Sequence, residues 1–436
     1  MRVAVVTTGS RGDVQPFVAL VAELQRHVDS AVLAAPAAFA PLAAAHDVAF
    51  HGLPVDPAGV LATEVGQRWI DSGRDLRAFL RGLRALADPL GEQLADAMIA
   101  VCADVDVIVY ATLAFPAWHI ADARGVPAVQ VAFAPSCPTA VFPPPMVPDL
   151  FADHDARRST VIAALARFYH RSAHWVFNQL LWLPLRRRIN RWRRSRLGAA
   201  PLGWRSPGLD VDRRGEPLLH AFSPTILAPP ADWGPHVVTT GAWFLDDTID
   251  WAPSAVLEDF LSAGPPPVVI GMGSMAAREP VALTRTVVDA LRRADRRGLL
   301  LAGWAGLGEA GPVARNTEVL VCDDVPHGWL LPRAAAAVHH GGSGTTAASL
   351  RAGIPTVVVP HFGDQPFWGD RVTVLGAGPP PIPRRELTAD RLARAITRAV
   401  DDRAIHKRAA VIGERIRAER GVERAVAEVL RVARAR

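Results

Sequence analysis

The chain has 436 residues, half of them apolar, with 48 basic against 43 acidic side chains and a formal net charge of +5. That length is too great for one hydrophobic core, so two domains are expected, and the apolar half suffices for both. No run of 18 uncharged apolar residues occurs, which excludes a transmembrane helix.

The positive balance admits anionic partners, but Lys407 is the only lysine, so a general skew toward arginine weakens any single Arg as a functional signal. Cys102, Cys137 and Cys322 match no metal-ligand or redox spacing. They read as reduced thiols of a cytoplasmic protein. The opening MRVAVVTTGSRGD has only a four-residue apolar run, so it is read as a first strand and not as a signal peptide.

Short Val-rich runs then alternate with Ala/Leu-rich helical ones. Strands are expected at 3–8, 31–35, 48–50, 105–110 and 128–133, with helices at 14–27, 39–46 and 75–101. Such alternation predicts a parallel sheet wrapped by helices. A proline-rich loop at 142–148 and a long stretch rich in aromatics and arginine break the pattern, as an insertion in the first domain would. Within that stretch, residues 186–196 hold seven arginines, with Trp182 and Trp192 nearby. Peripheral contact with an anionic membrane and a plain solvated helix face weigh equally there. Nothing else supports nucleic acid.

Prolines 224, 229, 230 and 235 argue against regular structure over 222–241 and place the domain boundary there, giving a first domain of 1–228 and a second of 229–388. A second series follows, with strands at 268–271, 298–304, 319–322, 335–338 and 356–359 and helices at 281–296 and 345–352. A basic amphipathic helix pair occupies 389–436. The fold class is α/β: two Rossmann-like doubly wound domains facing a shared cleft, which suits a reaction between two substrates.

The most constraining stretch is 334–371, in which a His-His-Gly-Gly-Ser-Gly-Thr turn joins an apolar strand to a helix. Glycines let backbone N–H groups close on an anion, the helix points its positive end at it, and Ser343, Thr345 and an imidazole add hydrogen bonds. A nucleoside diphosphate is the expected ligand. Residues 267–277 contain GxGxxA after a strand, a nominal dinucleotide fingerprint. A dehydrogenase would need an acidic residue closing the next strand, and that strand ends Leu301-Ala302-Gly303-Trp304.

The run HHGGSGTTAASLRAGIPTVVVPHFGDQPFW, with GSRGDVQPFVAL near the start and AGWAGLG, CDDVPHGWLLPR and GAWFLDD in support, resembles the nucleotide-sugar-dependent glycosyltransferases of the GT-B fold. Within them the likeness is greatest to sterol 3β-glucosyltransferases and bacterial natural-product glycosyltransferases. It spans both domains and is dense in the second. By this resemblance His339 contacts the diphosphate and Gly342, Ser343, Gly344 and Thr345 cradle it, joined by Gly273 and Ser274, while His340 is read as packing. Asp364 and Gln365, a carboxylate beside an amide, would hold the sugar hydroxyls.

Where the family commonly stacks uracil on tryptophan, this chain has Asp324-Val325-Pro326-His327. Backbone groups of Val325 are left to pair with the base, and thymidine-linked donors stay open beside UDP-sugars. Trp304 is either a stacking face or core.

Asp13 stands where many relatives have a catalytic histidine and is assigned as base, although an Asp here also suits a helix N-cap. Gly9 and Gly12 would let the acceptor approach, with Phe133 and the aromatic region beyond it, up to Trp182, lining its pocket. The last helices are expected to pack back on the first domain. No metal or cofactor is implied beyond the UDP-sugar co-substrate, and the acidic pairs 104/106, 246/247 and 323/324 are read as solvated turns. The reading is thus an inverting transfer of a hexose, with glucose preferred, to a hydroxyl of a hydrophobic acceptor. Sterol, macrolide and flavonoid all fit. A nucleotide-sugar epimerase and a catalytically silent binding subunit are the alternatives, and oligomeric state is not readable.

Overall fold

The computed structural model of the chain describes residues 1–72, 75–151, 160–210, 214–245, 251–275, 278–308 and 318–435. Seven strands form the first sheet: β1 (Arg2–Val6), β2 (Ser30–Pro36), β3 (Phe50–Leu53), β4 (Val107–Ala111), β5 (Ala128–Ala132), β6 (Leu218–His220) and β7 (Val237–Thr239). They lie in the order β3-β2-β1-β4-β5-β6-β7, every pair parallel. The second sheet holds β8 (Val268–Gly271), β9 (Gly298–Leu301), β10 (Val319–Cys322), β11 (Ala336–His339) and β12 (Thr356–Val358), parallel in the order β10-β9-β8-β11-β12. Helices cover both faces of such sheets, which is why central strands are apolar without alternation. Every residue of β4 and of β11 is buried.

The helices used below are α1 (Arg11–Leu24), α2 (Leu76–Val101), α3 (Pro116–Arg124), α4 (Thr160–Leu197), α5 (Pro280–Arg293), α6 (Ser343–Arg351), α7 (Gln365–Val374), α8 (Ala389–Asp401), α9 (Arg403–Arg417) and α10 (Gly421–Arg434). Their ends follow from local chemistry. Asp75 accepts the backbone N–H groups of Arg77 and Ala78 to start α2, and left-handed Gly125 ends α3.

Two departures from the expected division matter. The first sheet does not stop before 228, because Val237–Thr239 pairs with Leu218–His220 at its edge. Pro235 precedes that three-residue strand and takes none of its ladder positions, so the prolines shape the approach without forbidding it. The last helices also divide between the domains. Helix α8 packs on α5 and α9 on α6, both in the second domain, and only α10 returns to lie on α1 and β4. Ala425, Val426 and Val429 complete the first core beside Val5, Phe17 and Leu20. Where α10 begins, a Cβ on Gly421 would come within 2.4 Å of the Ala242 carbonyl oxygen, so the two segments crossing between the domains touch backbone to backbone.

Strand order reverses between β1 and β4 in one sheet and between β8 and β11 in the other. At such points the loops after neighbouring strands diverge and leave a crevice at the carboxyl ends, where open α/β sheets take ligands. The turns after β1, β8 and β11 are the three glycine-rich segments singled out above.

Candidate active site

A cleft of ≈ 1690 Å³ lies between the domains, lined by the turn 8–13 from one side and by 273–275, 323–329, His340, 342–345 and 362–365 from the other. On the first-domain side, β1 ends in a turn in which Gly9 has φ +108, and a Cβ there would lie 2.4 Å from Asp13 Oδ2. Glycine is needed so that the carboxylate can fold over its own turn. Asp13 Oδ2 accepts the backbone N–H of Ser10 at 2.9 Å and its hydroxyl at 3.3 Å. Ser10, not Asp13, is therefore the N-cap of α1, and Asp13 closes the first turn from the third helical position. Burial raises its pKa from 3.8 to about 6, against the lowering effect of the Ser10 hydrogen bonds and with a further upward push from the charge of Asp364 across the cleft. Gly12 is exposed, and a Cβ there would meet only Ser10 Oγ, at 3.9 Å. Phe133 is held edge-on between Phe17 (5.7 Å) and Trp243 (6.3 Å) and faces the cleft with Phe177 and Leu181.

On the second-domain side the histidine doublet resolves opposite to expectation. His339 ends β11 pointing into the domain. Its Nδ1 accepts the Gly341 N–H at 3.0 Å, so Nε2 carries the proton and donates to Ser349 Oγ at 3.3 Å. Thr356 donates to the same hydroxyl, which donates onward to the Thr346 carbonyl, and the chain is buried throughout. His340 faces the cleft. A Cβ on Gly273 would sit 2.7 Å from its Cε1, and one on Gly342 2.5 Å from its Nε2, so two glycine turns clasp the ring. Its buried Nδ1 has no hydrogen-bond partner. Burial, helped by nearby His327, lowers its pKa to about 4 and keeps it neutral. Successive residues at a strand end face opposite ways. One histidine had to face inward, and the buried Ser349–Thr356 pair gave His339 its partners there.

Gly342 leads into α6 in extended conformation and has no side chain to cap it. The N–H groups of Ser343, Gly344 and Thr345 thus open toward the cleft without helical acceptors. Gly273 (φ +58) and Ser274 lie opposite, and the Gly273 carbonyl accepts the Trp304 N–H at 3.2 Å. Trp304 lines the cleft as well as packing on the core beneath it. Val325 is buried in the cleft wall, and neighbouring Asp324 pairs across the cleft with Arg11 at 2.5 Å. That pair, His340 and His327 are among the cleft-lining groups missed in the sequence.

Asp364 and Gln365 begin α7 at the cleft but are not equivalent. Asp364 Oδ2 accepts the Trp368 indole N–H at 2.8 Å, and burial raises its pKa. Gln365 spends its oxygen on the His361 and Phe362 N–H groups (2.8 and 3.3 Å), and its amide N–H meets only the Met275 sulfur at 3.4 Å. The carboxylate is the directing group of the two, and the amide nitrogen, on a weak acceptor, is the part Gln365 has left to offer.

The acidic pairs behave individually. Asp106 accepts the Arg2 N–H at 2.6 Å, Asp323 is exposed, and 246/247 lie outside the described residues. Among the described residues, no three His, Cys, Asp or Glu side chains gather as metal ligands would.

Two family models match the chain: the glycosyltransferase family 28 N-terminal domain over residues 3–143, and the erythromycin biosynthesis protein CIII-like C-terminal domain over residues 312–432. The O-mycaminosyltylonolide 6-deoxyallosyltransferase of Streptomyces fradiae is 35% identical over 431 residues, covering 98% of this chain and 96% of that protein. The chain belongs to the GT-B glycosyltransferase family. The sterol 3-beta-glucosyltransferase of Emericella nidulans is 34% identical over 99% of the chain, which spans only 30% of that longer protein. The solved glycosyltransferase of kitacinnamycin superposes with a TM-score of 0.64, covering 99% of both chains at 22% identity, which gives the GT-B glycosyltransferase two-domain fold. No helix among the described residues is long and apolar enough to cross a membrane.

Proposed function

We propose that this protein is an inverting glycosyltransferase that moves a hexose, glucose by preference, from a nucleoside diphosphate donor of the UDP type to a hydroxyl on a hydrophobic acceptor in the cytoplasm. One observation carries the reading: Asp13 of one domain and Asp364 of the other line the same cleft, beside an anion cradle formed by Gly273, Ser274 and the start of α6. A carboxylate with a raised pKa on the acceptor side and one for sugar hydroxyls on the donor side are what such a transfer requires.

The acceptor lies against Phe133, Phe177 and Leu181, its hydroxyl directed at Asp13. Asp13 takes the hydroxyl proton as the oxygen attacks the anomeric carbon from the side opposite the phosphate. The bond from that carbon to the diphosphate breaks, and inversion follows from attack on the far side. Charge growing on the departing diphosphate is offset by the first N–H groups of α6 and by the His340 N–H, dipoles already fixed before reaction. These groups answer the charge that a metal ion would otherwise meet, so the transfer is assigned as metal-independent. Asp364 and the Gln365 amide hold hydroxyls of the sugar. Backbone groups around Val325 and the face of Trp304 receive the base, which suits uracil or thymine. Sterol-like and macrolide-like skeletons are the acceptor classes of the two relatives, and an apolar wall with one carboxylate suits both.

The test is UDP release from UDP-glucose with and without a panel of sterol, macrolide and polyphenol acceptors, products read by mass spectrometry. Acceptor-dependent release with a glycosylated product supports transfer. Binding without turnover would make the chain a silent subunit, and an isomerised donor would make it an epimerase.

A further inference from the structure

Helix α4 carries two opposed faces, and only one belongs to the cleft. His170 and His174 point inward and hold the proline-rich loop, His170 through the Ala140 carbonyl (3.0 Å) and Asp149 (3.0 Å), His174 through the Phe142 carbonyl (3.1 Å). Phe177 and Leu181 reach the acceptor side of the cleft. The outer face carries Val161, Leu165, Phe168, Trp175, Leu180 and Leu183, all exposed, with Phe168 at 74% and Trp175 at 50%. These positions recur at helical spacing, so they form one stripe about 33 Å long at 1.5 Å per residue. Trp204, 70% exposed beneath the Arg186 guanidinium, flanks it.

The stripe continues beyond Leu183 as Arg187, Arg191 and Arg194, on the same side of the helix and exposed. None of the three makes an ion pair among the described residues, and no acidic residue occurs between Thr160 and Leu197. The rest of the arginine-rich segment serves the fold. Arg193 is buried on Asp122 (2.7 Å) and His119 (3.2 Å), and Arg196 pairs with Asp96 (2.7 Å). Trp182 and Trp192 are buried and donate to the Gly203 carbonyl and to Asp96. The tryptophans that made this segment resemble a membrane anchor are therefore inside, and the outward aromatics lie upstream.

We infer that the outer face of α4 docks on an anionic lipid bilayer, its apolar stripe entering the headgroup boundary and Arg187, Arg191 and Arg194 meeting lipid phosphates. An exposed aromatic-aliphatic stripe in line with unpaired cations is the chemistry of an interfacial helix. A second copy of the chain fits less well, because two such faces bring only positive charge together. The consequence rests on the proposed function, since the opposite face of the same helix lines the acceptor pocket: a lipid-dissolved acceptor would reach the cleft around the helix at the membrane surface.

The experiment is co-sedimentation of the full chain with phosphatidylcholine vesicles, with and without phosphatidylserine, at low and high salt. The full chain is expected to pellet with the anionic vesicles and to be partly released by salt. F168D combined with W175D should lower binding on the order of tenfold or more, and R187Q/R191Q/R194Q on the order of 10²-fold with anionic vesicles. Both variants should keep the wild-type melting temperature and wild-type turnover of detergent-dispersed acceptor, which separates failure here from failure of the transferase reading. Wild-type protein left in the supernatant, or variants that bind as wild type, would overturn the inference. So would a dimer in light scattering that F168D dissolves.

Discussion

Replacing Asp13 with Asn separates the chemistry of this carboxylate from its place in the fold. The Asn oxygen can still accept the Ser10 N–H, as Oδ2 does now at 2.9 Å, so the first turn of α1 should persist. The charge is lost. In the folded protein burial raises the Asp13 pKa from 3.8 to about 6, a shift of about 2 units, or about 3 kcal/mol at ~1.4 kcal/mol per unit. The sign is destabilising: a raised carboxyl pKa means that the fold disfavours the ionised form. The penalty is absent below pH 3.8, grows between there and about 6, and is complete above. Asp13→Asn should therefore melt like wild type near pH 4 and above it at pH 8, gaining at most that 3 kcal/mol, since an amide is also costly to bury. Its turnover should fall about 10²–10⁴-fold, the usual contribution of a general base. In wild type, kcat/KM should decline tenfold per pH unit below about 6, as the carboxylate is protonated. In the variant that acidic limb should vanish. The assays are differential scanning calorimetry across pH and acceptor-dependent UDP release. Retention of more than half the wild-type turnover, or an unchanged acidic limb in the variant, would refute the assignment.

The histidine pair yields a double test. His340→Ala should weaken UDP binding by about tenfold in calorimetric titration, since it removes a donor to the diphosphate, and leave the melting temperature near wild type. His339→Ala should do the reverse, costing about 1–3 kcal/mol of stability through the orphaned Gly341 N–H and the loss of one of the three partners of the Ser349 hydroxyl, with UDP affinity less affected. Val429→Asp, placing a charge in the first core beneath α10, should cost about 3 kcal/mol or more and lower the urea midpoint of that domain. Dialysis against a chelator should leave turnover unchanged, and a loss restored by magnesium or manganese would contradict the metal-free scheme.

Local signals made much of this protein legible from its chain. Alternation of Val-rich and Ala/Leu-rich runs specifies parallel strands and crossover helices because side-chain periodicity is a property of each segment alone. The glycine turns after β8 and β11, and the pairing of such a turn with a helix start, are likewise written within a few residues. Direction and partnership were not. Adjacent residues at the end of β11 face opposite ways, and only the buried hydroxyls of Ser349 and Thr356 decide that His339 turns inward and His340 toward the cleft. Gln365 looks like a sugar ligand in sequence, yet the curl of its own loop claims its oxygen. Val237–Thr239 is too short to be recognised apart from the strand it joins. Arginines 186–196 are alike on paper and divide into buried ties and exposed cations only because α3 and the end of α2 supply carboxylates to some of them. Tertiary packing settles such matters because burial, charge coupling and hydrogen-bond partnership are set by residues far apart along the chain, and no single segment contains them.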